Sequence, residues 1–285
     1  MTPASPLMSA ERLAELPEAE LVILDVRWRL GGPPGRADYD AAHVPGAVFV
    51  DLDTELADPP GPGGRHPLPD PARLQAVLRR AGVRADTSVV AYDDGNGAVA
   101  ARAWWLLRWA GMPADQVAVL DGGWAAWVAD GRPTTAEAAQ PAAGDVVVRP
   151  GAMPVLDADD VAALARSGVL LDARAAPRYR GETEPVDPKA GHIPGARNLP
   201  ATEITGPDGR VRAPAELAER FAARGAAGAT PVAAYCGSGV NAAALVLAAE
   251  HAGLRSPDHP VALFPGSWSQ WSSDPSRPVA TGVDP

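Results

Sequence analysis

One pattern runs through this chain twice, and the duplication restricts the possible fold more than any single motif does. Leu24-Asp25-Val26-Arg27 recurs as Leu171-Asp172-Ala173-Arg174, and His43-Val44-Pro45-Gly46-Ala47 recurs as His192-Ile193-Pro194-Gly195-Ala196. Val90-Ala91-Tyr92 returns as Ala233-Ala234-Tyr235, and Gly122-Gly123-Trp124 returns as Gly266-Ser267-Trp268. The offsets stay between about 143 and 149 residues. A repeat of that length is a duplicated domain, not one turn of a solenoid.

Within each copy, short apolar runs alternate with helical patterns. In the first copy, Ser9 can cap a short helix over residues 9–18, and LVILDVRW at 21–28 reads as a buried strand. The Gly/Pro-rich stretch 57–69 is a long loop. Residues 71–83 form an amphipathic helix with Pro71 at its start, 88–94 a strand, 97–111 a helix and 117–123 a strand. This alternation predicts an α/β fold of two tandem domains, each a mainly parallel sheet flanked by helices. The Gly-, Pro- and Thr-containing stretch from Asp130 to Pro154 reads as the linker. The domains are expected at residues 1–145, with the linker running to about 154, and at 146–285.

Length and composition fit this reading, since 285 residues suffice for two domains and 46% hydrophobic with 21% charged residues describes a folded chain. The N-terminal MTPASPLMSAERLAEL is polar and mixed, and no apolar run approaches the roughly 20 residues needed to cross a bilayer. A cytoplasmic protein with no membrane partner is expected. A net charge of −10 without a Lys/Arg run argues against nucleic acid. It also means that an anionic substrate needs local arginines to overcome the global field. The single cysteine excludes an intramolecular disulfide, a redox pair and a cysteine-rich zinc site.

That cysteine, Cys236, ends the apolar run PVAAY and opens Cys236-Gly237-Ser238-Gly239-Val240-Asn241, followed by the helix-forming AAALVLAAE. Strand, tight loop and helix are predicted. Inward-pointing loop N–H groups and a helix N-terminus would favour a thiolate and stabilise an anion above it. A lone cysteine is often just a buried apolar side chain, but this setting favours a sulfur nucleophile.

The CGSGVNA string resembles the active-site loop of the two-domain rhodanese family of sulfurtransferases, most of all its 3-mercaptopyruvate branch, whose loop reads CGSGVT. Asn241 stands where that pattern has Thr. HVPGA, HIPGA, the segment Leu120-Asp121-Gly122-Gly123-Trp124 and Gly266-Ser267-Trp268 extend the resemblance over nearly the whole chain. It implies two rhodanese-like domains packed face to face around one active site. The second domain is catalytic, and the first carries Asp93 at the cysteine position and so has no thiol.

The resemblance also implies a ping-pong reaction without metal or organic cofactor. The donor's sulfur would pass to Cys236 as a persulfide and then to a small thiol, a thioredoxin-type protein or cyanide. Gly237, Ser238, Gly239, Val240 and Asn241 would cradle the substrate. Ser238 reads equally as a substrate contact or as turn chemistry. In the resembling branch the corresponding serine works with an aspartate, which matches Asp53 here; by itself Asp53 reads as a turn acid or helix cap. His66 matches a family histidine able to move a proton. His43 and His192 occur in both copies and read as structural.

Arg178 falls where the family holds the substrate carboxylate, and arginine's planar fork suits that group. Arg180, also a candidate, would face the opposite side if the segment is extended. The branch often has a second arginine several residues on, whereas here Lys189 is the only later cation. Two donors compete. Relatives preferring thiosulfate tend to carry cations in the loop itself, and this neutral loop with a nearby arginine better suits 3-mercaptopyruvate. A phosphatase of the same fold needs Arg six positions after the cysteine, where Ala242 stands, and a papain-like protease lacks its local pattern. A non-enzymatic persulfide carrier or interaction module is the remaining alternative.

Overall fold

The computed structural model describes residues 5–284; the first four residues of the polar N-terminal stretch lie outside them. The chain divides into two units.

The first begins with strand β1 (Leu7–Met8) and helix α1 (Ala10–Glu15), whose N-cap Ser9 accepts the N–H of Arg12. Strand β2 (Leu21–Asp25), helix α2 (Gly35–Ala41) and strand β3 (Ala47–Phe49) follow. Helix α3 (Pro71–Arg80) starts at Asp70, which caps it through the N–H groups of Ala72 and Arg73, with Pro71 in the first turn where a missing N–H costs nothing. Strand β4 (Ser88–Tyr92), helix α4 (Ala98–Trp109), strand β5 (Val117–Leu120) and helix α5 (Gly123–Ala129) complete it. All pairings are parallel, in the order β1-β5-β4-β2-β3.

The second unit repeats the plan with helix α6 (Ala158–Ser167), strand β6 (Val169–Asp172), helix α7 (Ala176–Tyr179) and strand β7 (Ala196–Asn198). Helix α8 (Pro214–Ala223), strand β8 (Val232–Tyr235), helix α9 (Val240–His251), strand β9 (Ala262–Leu263) and helix α10 (Ser267–Ser273) follow. Its sheet is parallel in the order β7-β6-β8-β9. The α/β architecture expected from the alternating pattern is present in both copies.

Each sheet buries one face under its first and last helices. Ala10, Leu13 and Trp127 meet Ile23, Val90 and Leu120 in the first unit, and Val161, Trp268 and Trp271 meet Leu170, Ala233 and Phe264 in the second. Helices α4 and α9 are apolar nearly all round because they are buried nearly all round.

Two motifs of the repeat explain themselves as buried polar knots. Asp172 receives Arg174 through Nε at 3.1 Å and Nη2 at 2.6 Å, and Arg174 Nη2 also donates to the carbonyl of Gly191. Asp25 and Arg27 repeat this, joined by the Tyr92 hydroxyl donating to Asp25 at 2.5 Å. Arg174 lies over the Trp268 ring at 4.4 Å and Arg27 over Trp124 at 4.8 Å. Burial opposes the charge of Arg174, but the Asp172 carboxylate outweighs it and raises the guanidinium's pKa. His43 stacks on Tyr39 and His192 on Tyr179, each pair with ring centroids 3.8 Å apart. Both histidines also bind the carbonyl of the tyrosine they stack on, through Nδ1.

The division between units falls at Met153/Pro154, so the expected cut near 145 lies inside a stretch tied to the first unit by Gly144 N–H to Arg79 O and Arg149 N–H to Ala110 O. Two loops cross this division. Pro59–Pro67, from the first repeat, belongs to the second unit, and Gly206–Val211, from the second repeat, belongs to the first. Arg65 N–H donates to Ser269 Oγ at 3.0 Å, and Val211 N–H donates to Asp121 Oδ1 at 2.8 Å.

Removing one partner of a buried ion pair leaves an uncompensated charge. Asp172→Ala should therefore lower stability by about 3–5 kcal/mol, read from denaturant unfolding, whereas Glu182→Ala at an exposed ion pair should leave the unfolding midpoint where it is.

Candidate active site

Strand β8 is a central strand, flanked by β6 and β9, and Cys236 follows directly from its carboxyl end, where ligands bind in open parallel sheets. The loop turns into α9 at Gly239, whose φ of 80° lies in the left-handed region open to glycine. Cys236 is buried, and its Sγ accepts the N–H groups of Gly239 at 3.1 Å and Ser238 at 3.4 Å. Those donors and the amino end of α9 point positive charge at the sulfur.

The first repeat shows what such a loop prefers to hold. Asp93 stands at the cysteine position, and its carboxylate accepts four N–H groups, from Gly95, Gly97, Val99 and Ala100, at 2.9 to 3.1 Å. There the anion is part of the chain and fills the cradle; in the second unit a sulfur atom takes its position.

The loop is fastened from below. Cys236 O and Gly237 O accept the N–H groups of Trp268 and Ser269, and Cys236 N–H donates to Ser267 Oγ at 3.1 Å. Ser267 has φ 52°, a left-handed conformation that its counterpart Gly123 adopts with φ 54°. A serine there carries roughly 1–2 kcal/mol of strain relative to glycine. What it gains is a hydroxyl that satisfies the cysteine's N–H and donates to Phe264 O at 2.9 Å.

His66 Nδ1 and Ser238 Oγ are hydrogen-bonded at 2.8 Å, both buried. Within the second unit Ser238 thus meets the sulfur through its backbone N–H and the imidazole through its hydroxyl. Asp53 belongs to the first unit, where Trp28 Nε1 donates to its Oδ2 at 2.8 Å. Val240 and half-buried Asn241 open α9.

Arg178 lies beside the loop: a Cβ added to Gly237 would stand 3.7 Å from its Nη1. Its segment is helical, not extended, with Pro177 in the first turn and Arg180 as the C-cap of α7. Arg180 forms an exposed pair with Glu182 at 2.6 Å, and Lys189 donates to the carbonyl of Asp274. Sequence reasoning passed over three further residues. Arg65 Nη2 would stand 3.0 Å from that same Cβ. Glu184 accepts Arg178 Nε and Nη2 at 3.1 and 2.6 Å, and Asp187 binds both Arg178 and Arg65. Burial pushes the Glu184 carboxyl up, but Arg178 and the N–H groups of Val186 and Asp187 outweigh it, so its pKa is lowered. The only sequence signals were a cation next to His66 and an acidic run after Arg178.

Paired parallel sheets, each with a strand, an anion-holding loop and a helix, and one loop armed with cysteine, define an α/β protein built to bind an anion against a thiol. The Rhodanese-like domain family matches residues 9–130 and 157–274, and the chain belongs to it. It is 48% identical to a probable 3-mercaptopyruvate sulfurtransferase of Pseudomonas aeruginosa, over 97% of this chain and 98% of that one. It is 46% identical to the putative thiosulfate sulfurtransferase SseB of Mycobacterium tuberculosis, over 97% of each. Among solved structures, SseA of Escherichia coli, described as a 3-mercaptopyruvate sulfotransferase, superposes with a TM-score of 0.81 at 33% identity, covering 93% of this chain and all of that one.

Ser267→Gly separates strain from hydrogen bonding. Losing the partner of a buried N–H costs about 1–3 kcal/mol, offset by the relieved strain, so the unfolding midpoint should barely move. The sulfur's position should loosen and turnover fall roughly 10-fold or more, measured by steady-state kinetics.

Proposed function

We propose that the chain is a 3-mercaptopyruvate sulfurtransferase working through a Cys236 persulfide. The observation that supports this best is the neighbourhood of the sulfur: two loop N–H groups on Sγ, a Ser238–His66 hydrogen bond, and the Arg178 guanidinium beside Gly237. The names and extent of the relatives at 48% and 35% identity favour the same donor.

In this reading the Cys236 thiolate attacks the donor's sulfur. The new S–S bond forms as the donor's C–S bond breaks, and the electron pair passes to carbon as the enolate of pyruvate, which takes up a proton. We assign delivery of that proton to the Ser238 hydroxyl backed by His66. We keep Asp53 as the acid that the resemblance implies for this relay. The outer sulfur stays on Cys236, facing the N–H groups of Ser238 and Gly239. A thiolate or cyanide then attacks it and Cys236 leaves as thiolate. Small thiols, a thioredoxin-type protein or cyanide are the acceptor classes. A cytoplasmic setting agrees with the lone cysteine and with the lack, among the described residues, of any helix long and apolar enough to cross a membrane.

Thiosulfate is the second reading, favoured by the name of the M. tuberculosis relative. The donor comparison decides between them: kcat/KM with 3-mercaptopyruvate should exceed that with thiosulfate, and the reverse order would replace the donor. Mass spectrometry after incubation with donor alone should show a gain of about 32 Da, one sulfur on the covalent intermediate, and none in Cys236→Ser.

Arg178 and Arg180 offer an internal contrast. Losing a charge-assisted contact to a carboxylate in a water-poor site costs roughly 2–4 kcal/mol, so Arg178→Ala should raise KM for 3-mercaptopyruvate about 30-fold or more. Arg178→Lys should recover only part of that. Arg180→Ala, at its exposed pair with Glu182, should stay near the parent enzyme.

A further inference from the structure

We infer that Arg65, carried by the loop that the first repeat contributes to the second unit, is the second cation for the donor's carboxylate. This rests on the donor reading above. Between Arg180, which pairs with Glu182 at the surface, and Arg197 the chain holds no further arginine, and Lys189 in that stretch donates to a backbone carbonyl. The missing charge comes from a residue distant in sequence. A Cβ on Gly237 would meet Arg65 Nη2 at 3.0 Å and Arg178 Nη1 at 3.7 Å, so both guanidinium groups border the residue next to Cys236.

The supporting acids define which way these groups face. Asp187 accepts Arg65 Nη1 through Oδ1 at 2.7 Å and Arg178 Nη2 through Oδ2 at 3.0 Å, locking the two forks to one carboxylate. Glu184 holds the Nε and Nη2 edge of Arg178. Asp187 and Glu184 are 3% and 4% exposed, whereas Arg65 and Arg178 are 21% and 17% exposed. Carboxylates therefore form the buried side of the cluster and guanidinium groups the accessible side. Arg65 Nη2 and Arg178 Nη1 are the guanidinium nitrogens nearest Gly237, and among the described residues Arg65 Nε is buried without a partner. Two acids balance the two arginines, so in a chain of net charge −10 the cluster gives an anionic donor a locally neutral site whose accessible side is cationic. Two carbons separate the carboxylate of a 3-mercapto-2-oxo acid from its sulfur, so with the sulfur at Cys236 the charged end falls beside the adjacent residue. The bound class is a short mercapto acid whose carboxylate spans two forks, each forming charge-assisted bonds.

Two measurements on the intact chain test this. With 3-mercaptopyruvate, Arg65→Gln should raise KM about 10- to 100-fold, the range for losing a hydrogen bond to a charged group, with kcat within about 3-fold, and Arg65→Lys should recover part of the loss. Independently of any donor, the rate of Cys236 alkylation by iodoacetate relative to neutral iodoacetamide should fall about 10-fold in Arg65→Gln and less in Arg65→Lys. Wild-type KM and an unchanged alkylation ratio in Arg65→Gln would overturn the assignment, as would a loss confined to kcat, which would make Arg65 a support for its neighbour His66. If the parent enzyme does not use 3-mercaptopyruvate while the alkylation ratio still falls, the donor reading fails and the two-arginine site stands.

Discussion

The buried Asp172 carboxylate is the fixed point from which the cysteine loop is built. It neutralises Arg174, which reaches on one side to the carbonyl of Gly191 and on the other lies over Trp268. Trp268 in turn gives its N–H to the carbonyl of Cys236. Arg174 also touches Glu184, the acid that holds Arg178. One desolvated ion pair thus connects the sheet, the floor of the thiol loop and, through Glu184, Arg178. Such a pair adds little net stability compared with an apolar core. Its value lies in direction: the groups around it have few other ways to be satisfied.

The first repeat keeps the same knot in Asp25, Arg27, Tyr92 and Trp124 but has no thiol above it. Its loop is closed on the Asp93 carboxylate, so the same backbone that would stabilise a sulfur anion is saturated by its own side chain. The contrast shows how one frame can stand with or without a thiol. The anion satisfies the loop's N–H groups whether it is a reagent or a strut.

Much of this was legible in the sequence because it is local. Pro71 at its helix start, the capping Ser9, the apolar strands and the glycines around Cys236 each act within a few residues. The duplication made the paired histidines readable as structural, and both stack on tyrosines four and thirteen residues away in the chain. What stayed hidden is nonlocal or counter to propensity. Arg65 meets Asp187 across 122 residues of sequence, and Glu184 and Asp187 look like solvated loop acids until their arginines are seen. Residues 176–179 form a helical turn despite Pro177, because proline is tolerated in a first turn. Ser267 occupies a conformation for which glycine would be the expected residue.

The crossing loops have a consequence for the history and divisibility of the chain. A duplicated domain normally leaves two copies that could each be excised whole. Here Pro59–Pro67 completes the second unit and Gly206–Val211 completes the first. A cut at Met153/Pro154 would send His66 and Arg65 away with the wrong half, leaving Cys236 with its loop N–H groups but without the imidazole on Ser238. Each repeat has become a prosthesis for the other. The copy without a cysteine encodes the imidazole and the guanidinium that stand beside the other copy's cysteine loop.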